Sequence, residues 1–106
     1  MSNKLPKPVE DFRQEYSDLW NAFNKLGDLC HSVGPLDEKT RRLVKLALAL
    51  GAGLEGATHS AVRNALAAGL TAEEIKHVAI LGITTIGFPS TMRAITWIDD
   101  GLNKAE

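Results

Sequence analysis

Three residues whose side chains suit proton transfer and anion binding follow one another at intervals of four: Glu55, His59 and Arg63. On an α-helix, residues four apart lie on the same face, so these side chains would form one line. A carboxylate beside an imidazole orients the ring and raises its basicity, and an arginine can bind a substrate carboxylate. Glu55 and His59 are therefore candidate catalytic residues, and Arg63 is a candidate substrate-binding residue. The alternative is a solvated ladder of charges on an exposed helix face.

Two further polar residues, His77 and Thr84, are predicted to lie on one side of a later helix. We name both as candidate substrate-binding residues. The alternative for Thr84 is structural, because a threonine hydroxyl in a helix can bond the carbonyl four residues back. His59, His77 and Glu55 are also ligand types that zinc accepts. Their spacing does not require a metal, and we expect neither a metal nor a cofactor.

The charge balance and the short apolar runs exclude several classes of protein. Twelve basic and thirteen acidic residues give a formal charge of −1, without the basic excess typical of nucleic-acid binding. Lys45, Gly51 and Thr84 interrupt the apolar runs before the roughly 18 residues needed to span a bilayer. Residues 1–7 lack the apolar segment of a signal peptide. We therefore expect a cytoplasmic protein with no nucleic-acid or membrane partner.

The pattern of apolar residues predicts an all-α fold of about five helices, with a flexible tail over residues 1–8 and one domain over residues 9–106. Apolar side chains recur at helical spacing from Val9 to Cys30, which predicts one long helix ended by Gly34 and Pro35. Asp37 is the expected N-cap of a second helix that ends at residues 51–53.

Three more helices follow in this prediction. The third runs from about residue 54 to 68. Thr71 and Glu74 form a capping box, the clearest start signal in the chain, and the fourth helix is expected to continue to about Ile86. Pro89 lies in the first turn of the fifth helix. Residues 51–56 match the dinucleotide-binding pattern G-x-G-x-x-G, but they follow a helix rather than a strand, so we interpret them as a break between helices.

The second and fourth helices carry apolar residues on nearly every side. A domain of 106 residues cannot easily cover both, which predicts a homo-oligomer. The single cysteine, Cys30, excludes an intrachain disulfide and lies in register with the apolar face of the first helix. We expect it to be an inert core residue. Trp20 and Trp97 are expected to anchor the core or an interface.

Four segments together resemble the carboxymuconolactone decarboxylase family, which includes the AhpD-like alkylhydroperoxidases. They are residues 36–44, 51–57, 62–75 and 86–89. The resemblance spans about residues 36–102. It implies an all-helical subunit that assembles as a homotrimer or a homohexamer, in agreement with the apolar surplus.

The catalytic positions of this family differ here. In the peroxidase branch the resemblance implies two cysteines, a histidine and a glutamate, at the positions of Leu54, Ala57, Ala61 and Arg42. Without a thiolate there is no nucleophile for the peroxide, so AhpD-type peroxidase activity is disfavoured. In the decarboxylase branch a glutamate, two histidines and a tyrosine would fall on Ala57, Ala61, Leu81 and Thr85.

Two functions remain open. In the first, the protein is a decarboxylase-like lyase that acts on a small carboxylated or lactone substrate. Its site would be displaced by half a turn, with Glu55, His59 and His77 near the old pocket. In the second, the protein is a non-catalytic oligomer that binds a small ligand or serves as a scaffold. A third possibility, peroxide reduction by Cys30, requires that thiol to be both exposed and acidic.

Overall fold

The computed structural model describes residues 5–104, which are helical except for short connections and contain no strand. The elements are α1 (Lys7–Glu15), α2 (Ser17–Ser32), α3 (Glu38–Gly51), α4 (Glu55–Ala67), α5 (Ala72–Leu81), a 3-10 turn (Gly82–Thr84) and α6 (Phe88–Lys104). The all-α prediction is confirmed. The chain divides into two compact parts, one ending at Leu36 and one beginning at Asp37.

The first part contains two helices where the sequence predicts one. The backbone of Tyr16, with φ −123° and ψ 58°, leaves the helical region and separates α1 from α2. The apolar spacing continues across this point without a glycine or proline, so the periodicity contains no sign of the break. Helix α1 begins at Lys7, inside the tail predicted over residues 1–8; residues 1–4 of that tail lie outside the described range.

Neither α1 nor α2 contains a buried residue. Cys30 is exposed, so its predicted place in the core is wrong. The physical reason is that the apolar face to which it belongs is exposed as a whole, since Phe12, Leu19, Phe23 and Leu26 are exposed as well.

The second part begins with the predicted cap. The Asp37 side chain accepts a hydrogen bond from the Thr40 amide at 2.9 Å, and α3 ends at Gly51. Gly53 has φ 71°, a left-handed conformation that glycine adopts without steric cost. It turns the chain into α4, which confirms that the glycine pattern is a helix break.

The capping box of α5 is also confirmed. The Thr71 hydroxyl accepts from the Glu74 amide at 3.0 Å, and the Glu74 carboxylate accepts from the Thr71 amide at 2.8 Å. The helix is shorter than predicted, since it ends at Leu81 and continues only as the 3-10 turn. Gly82 packs tightly there, because a Cβ on it would lie 3.2 Å from Thr91 Oγ1 and 3.3 Å from Ile86. Thr84 therefore lies in this turn rather than in α5.

The core lies where α3, α4, α5 and α6 meet. Leu46, Val62, Ile75 and Ile98 are fully buried, and each such side chain contributes about 1.5–3 kcal/mol by leaving water. Helices α4 and α6 approach closely at Gly101, where a Cβ would lie 2.9 Å from Val62 Cγ1. Because α4 and α6 are packed together in this core, the positions of the side chains on their outward-facing sides are also set.

Candidate functional site

Helix α4 aligns the three residues that the sequence selects. The opposite side of the helix holds it in place: Thr58 and Ala61 are buried in the core, and the Thr58 hydroxyl donates to the Leu54 carbonyl at 2.8 Å. On the outer side, Glu55 is exposed, whereas His59 and Arg63 are half-buried. The helix therefore presents a carboxylate, an imidazole and a guanidinium on successive turns.

His59 has the most unusual environment of the three. Its Nε2 atom is buried and has no hydrogen-bond partner among the described protein atoms. A buried polar atom left unpaired costs about 1–3 kcal/mol. A ligand that offers a donor or acceptor to Nε2 would recover that free energy, so His59 is the member of the three best prepared to bind a polar group.

The alignment does not amount to a hydrogen-bonded network. Among residues 5–104, no hydrogen bond or ion pair links Glu55, His59 and Arg63 to one another. Glu55 lies one turn before His59, within the reach expected for residues four apart. It does not orient the ring in this conformation.

Within residues 5–104, no hydrogen bond or ion pair joins His77 or Thr84 to these three residues. His77 is exposed on α5, and Thr84 is exposed in the 3-10 turn. Within the described part of the chain, no three histidine, cysteine, aspartate or glutamate side chains are grouped so that they could hold a metal ion. No helix among the described residues is long and apolar enough to cross a membrane.

Two residues that the sequence analysis did not select for chemistry lie on α6. The Arg93 guanidinium carbon is 5.1 Å from the centre of the Trp97 ring, a cation–π contact. Arg93 also reaches the loop before α4, because a Cβ on Gly53 would lie 2.8 Å from its Nη2 atom. The i, i+4 spacing of arginine and tryptophan was the available sequence signal for this pair.

The contacts of Gly53 with Arg93 and of Val62 with Gly101 define how α4 lies along α6. They occur in the same order along both segments, so the two helices run side by side in the same direction. His59 precedes Val62 by three residues, so the two side chains are neighbours on α4. His59 therefore lies at the level of Trp97, which precedes Gly101 by four residues. We call the surface formed by Gly53, Glu55, His59, Arg93 and Trp97 the α4–α6 groove.

The arginines of the chain differ in their partners. Arg13 pairs with Glu10, and both Arg41 and Arg42 pair with Glu38. Arg63 and Arg93 have no carboxylate partner within the described range. The two unpaired guanidinium groups thus belong to the two helices that form the groove.

Comparison with known proteins agrees with this fold. The family model of the carboxymuconolactone decarboxylase family matches residues 17–100. A crystal structure of the apo form of a carboxymuconolactone decarboxylase family protein from Legionella pneumophila is similar, with a TM-score of 0.78 and 24% identity over 94% of this chain and 89% of that one. No curated protein matches the chain in sequence. Because the family model covers most of its length, the chain belongs to the carboxymuconolactone decarboxylase family.

Proposed function

We propose that the protein is a decarboxylase-like lyase that acts on a small carboxylated or lactone substrate and uses His59 as its proton-transfer group. The observation that carries this proposal is the buried, unpartnered Nε2 of His59. An imidazole is the side chain best suited to exchange a proton near neutral pH. Rotation of the half-buried ring toward the groove would present Nε2 to a ligand and relieve its lack of a partner.

The reaction that fits these groups is the loss of carbon dioxide followed by protonation. When a carboxylate leaves as CO₂, the bonding electron pair stays on the carbon that carried it. The protonated ring of His59 would donate its proton to that carbon and regain one from water. Glu55, one turn away, would orient the ring once a ligand is bound. Arg63, one turn further on, would bind a second carboxylate or the lactone carbonyl.

Assembly with further copies of the chain is part of the proposal. Large apolar side chains are exposed on α3 and α5, including Leu48 at 67% and Leu81 at 62%. A homotrimer or homohexamer would cover them. Such an assembly would also be needed to add His77 and Thr84 to a site near His59, as candidate substrate-binding residues of a neighbouring subunit. An exposed free cysteine suits a reducing compartment, and we propose a cytoplasmic location.

The experiment compares turnover by the wild type, His59→Ala and His77→Ala on a panel of γ-lactones that carry a carboxylate. Product formation is measured by chromatography. We expect wild-type turnover and a fall of about 10²–10⁴-fold in kcat for His59→Ala, the usual contribution of a general acid or base. Equal rates for His59→Ala and the wild type would contradict the proposal. His77→Ala is the matched histidine control, for which we expect a smaller loss, confined to KM.

The alternative is a non-catalytic oligomer that binds a small ligand, and one observation favours it. Glu55 and His59 share no hydrogen bond in the described chain, so the base is not held in a fixed tautomer. A protein that binds a carboxylated lactone in a saturable manner, but converts none of the panel, would support this function over the lyase.

A further inference from the structure

The arginine at the other side of the groove has the properties of an anion-binding residue. Arg93 is held between the Trp97 ring and the Gly53 backbone. Neither contact involves a carboxylate, so the positive charge of the guanidinium is not neutralised by them. It has no carboxylate partner within the described residues. By contrast, Arg13, Arg41 and Arg42 are each neutralised by a glutamate on their own helix.

Gly53 makes this position of Arg93 possible. Any Cβ at this residue would come within 2.8 Å of Nη2, closer than such atoms approach in proteins. The positive φ of Gly53 also favours glycine at this position. The loop before α4 therefore leaves a space that the guanidinium fills.

The position of Arg93 relative to His59 follows from the way α4 lies along α6. Trp97 is at the level of His59, and Arg93 lies one turn before Trp97 on the same face of α6. The guanidinium reaches Gly53, which precedes His59 by six residues, so it lies nearer the beginning of α4 than the imidazole does. A small molecule with a carboxylate at one end could contact Arg93 there while its other end reaches His59.

We infer that Arg93, positioned by Trp97 and Gly53, is a carboxylate-binding residue in addition to Arg63, and that it holds a carboxylate of a small dicarboxylate or carboxylated lactone in the α4–α6 groove. The choice of a carboxylate as the ligand rests on the proposed function. A planar guanidinium suits this role because it can bind both oxygens of a carboxylate at once. The ring of Trp97 would lie beside the apolar part of the same ligand.

The test is an NMR titration of the whole protein with fumarate, a small dicarboxylate, and with fumaramide as its neutral analogue. The indole N–H of Trp97 reports on the groove, and that of Trp20, on α2, is the internal reference. We expect saturable fumarate shifts at Trp97, none at Trp20, and no saturation with fumaramide. Arg93→Gln should weaken fumarate binding by about tenfold or more, because a charge-assisted bidentate contact is lost.

Two further variants separate binding from structure. Gly53→Ala keeps the charge of Arg93 but forces the guanidinium away, so it should also weaken fumarate binding. Arg13→Gln removes an exposed arginine from α1 and should bind fumarate as the wild type does. Circular dichroism confirms that each variant is folded. Unchanged affinity in Arg93→Gln, equal loss in Arg13→Gln, or the absence of saturable binding by the wild type would overturn the inference.

The outcome is independent of the test of the proposed function. If turnover depends on His59 but Arg93→Gln binds fumarate normally, the lyase function stands and the role of Arg93 is wrong. If fumarate binds through Arg93 but no substrate is converted, the anion site stands and the lyase function is wrong.

Discussion

At the scale of single residues, His59 and Thr91 share one property in different settings. Each has a buried polar atom without a hydrogen-bond partner among the described protein atoms. Thr91 is fully buried beneath Gly82, where no ligand can reach it, so its hydroxyl only lowers stability. His59 is half-buried at a groove that contains an unpaired arginine, so the same defect there favours binding.

Thr91→Val tests this view of the buried hydroxyl. Valine has nearly the same shape as threonine and removes the unpaired oxygen, so we expect a free energy of unfolding equal to that of the wild type or higher by up to about 1 kcal/mol. Urea denaturation measures it. A clear loss of stability would show that the hydroxyl has a partner in solution, and Thr91→Ser, which keeps the oxygen, is the control.

Gly101 tests the contact between α4 and α6. Gly101→Ala places a Cβ 2.9 Å from Val62 Cγ1, and the resulting overpacking should reduce the free energy of unfolding by about 1–3 kcal/mol. Gly56→Ala is the matched control, because nothing lies within 4 Å of its added Cβ. The close approach would be disproved if both variants were as stable as the wild type.

The sequence predicts which residues of the site share a helix face, but it does not predict how deeply each side chain is buried. The four-residue spacing of Glu55, His59 and Arg63 predicts a shared helix face, and α4 has that face. Burial of His59 Nε2 depends on how α4 packs against the rest of the second part, which no local pattern records. Arg93 is missed for the same reason, because its significance comes from Gly53, forty residues earlier in the chain.

At the scale of helices, the cap of α5 provides a direct test. Thr71→Ala removes the hydroxyl that accepts from the Glu74 amide, and we expect a loss of about 0.5–2 kcal/mol in the free energy of unfolding. Thermal or urea denaturation measures it. Thr85→Ala, at an exposed threonine whose side chain makes no hydrogen bond among the described residues, should leave stability within experimental error. Equal behaviour of the two variants would argue against the capping box.

Glu74 makes the same cap sensitive to acid. Hydrogen bonds from the Thr71 backbone, and then the Thr71 side chain, lower the pKa of the Glu74 carboxyl below its ordinary value. A carboxyl with a lowered pKa stabilises the fold above its unfolded pKa, near 4.3, and this contribution is lost as the pH falls through the lower folded pKa. We expect Glu74→Gln to show a shallower loss of stability below about pH 4.3 than the wild type. Parallel stability profiles would contradict this linkage.

Local signals predicted helix starts well and helix ends less well. The Asp37 cap and the Thr71 box are confirmed because each is a short-range hydrogen-bonded motif. The break at Tyr16 and the end of α5 at Leu81 were not predicted, since the apolar spacing continues through both. At Leu81 the cause is tertiary: Gly82 lies directly against Thr91 and Ile86, and this packing favours the 3-10 turn.

At the scale of the whole molecule, exposed apolar side chains lead to a prediction about assembly. Leu48 is exposed on α3, and we propose that a second copy covers it. Leu48→Glu would bury a charge in that interface, so the apparent mass in sedimentation should fall while the helical content is retained. Asn103→Glu adds the same charge at an exposed position near the end of α6. An unchanged mass for Leu48→Glu would remove α3 from the interface.

The family was predictable at this scale, and the chemistry was not. The match over residues 17–100 confirms a resemblance based on glycines, a capping box and a Gly-Phe-Pro turn, all of which specify backbone shape. Catalytic side chains can change while such a framework persists. The resemblance implies that the family's catalytic residues are replaced at their usual positions here, so turnover has to be tested directly.

The most direct test of the central claim measures proton delivery by His59. Carboxylated γ-lactones are incubated with the protein in D₂O, and the decarboxylated product is analysed by mass spectrometry. We expect the wild type to form product with one deuterium at the carbon that lost CO₂, and we expect the rate to fall about 10²-fold or more in His59→Ala. Deuterated product formed equally fast by His59→Ala, or no decarboxylation by the wild type, would contradict this claim.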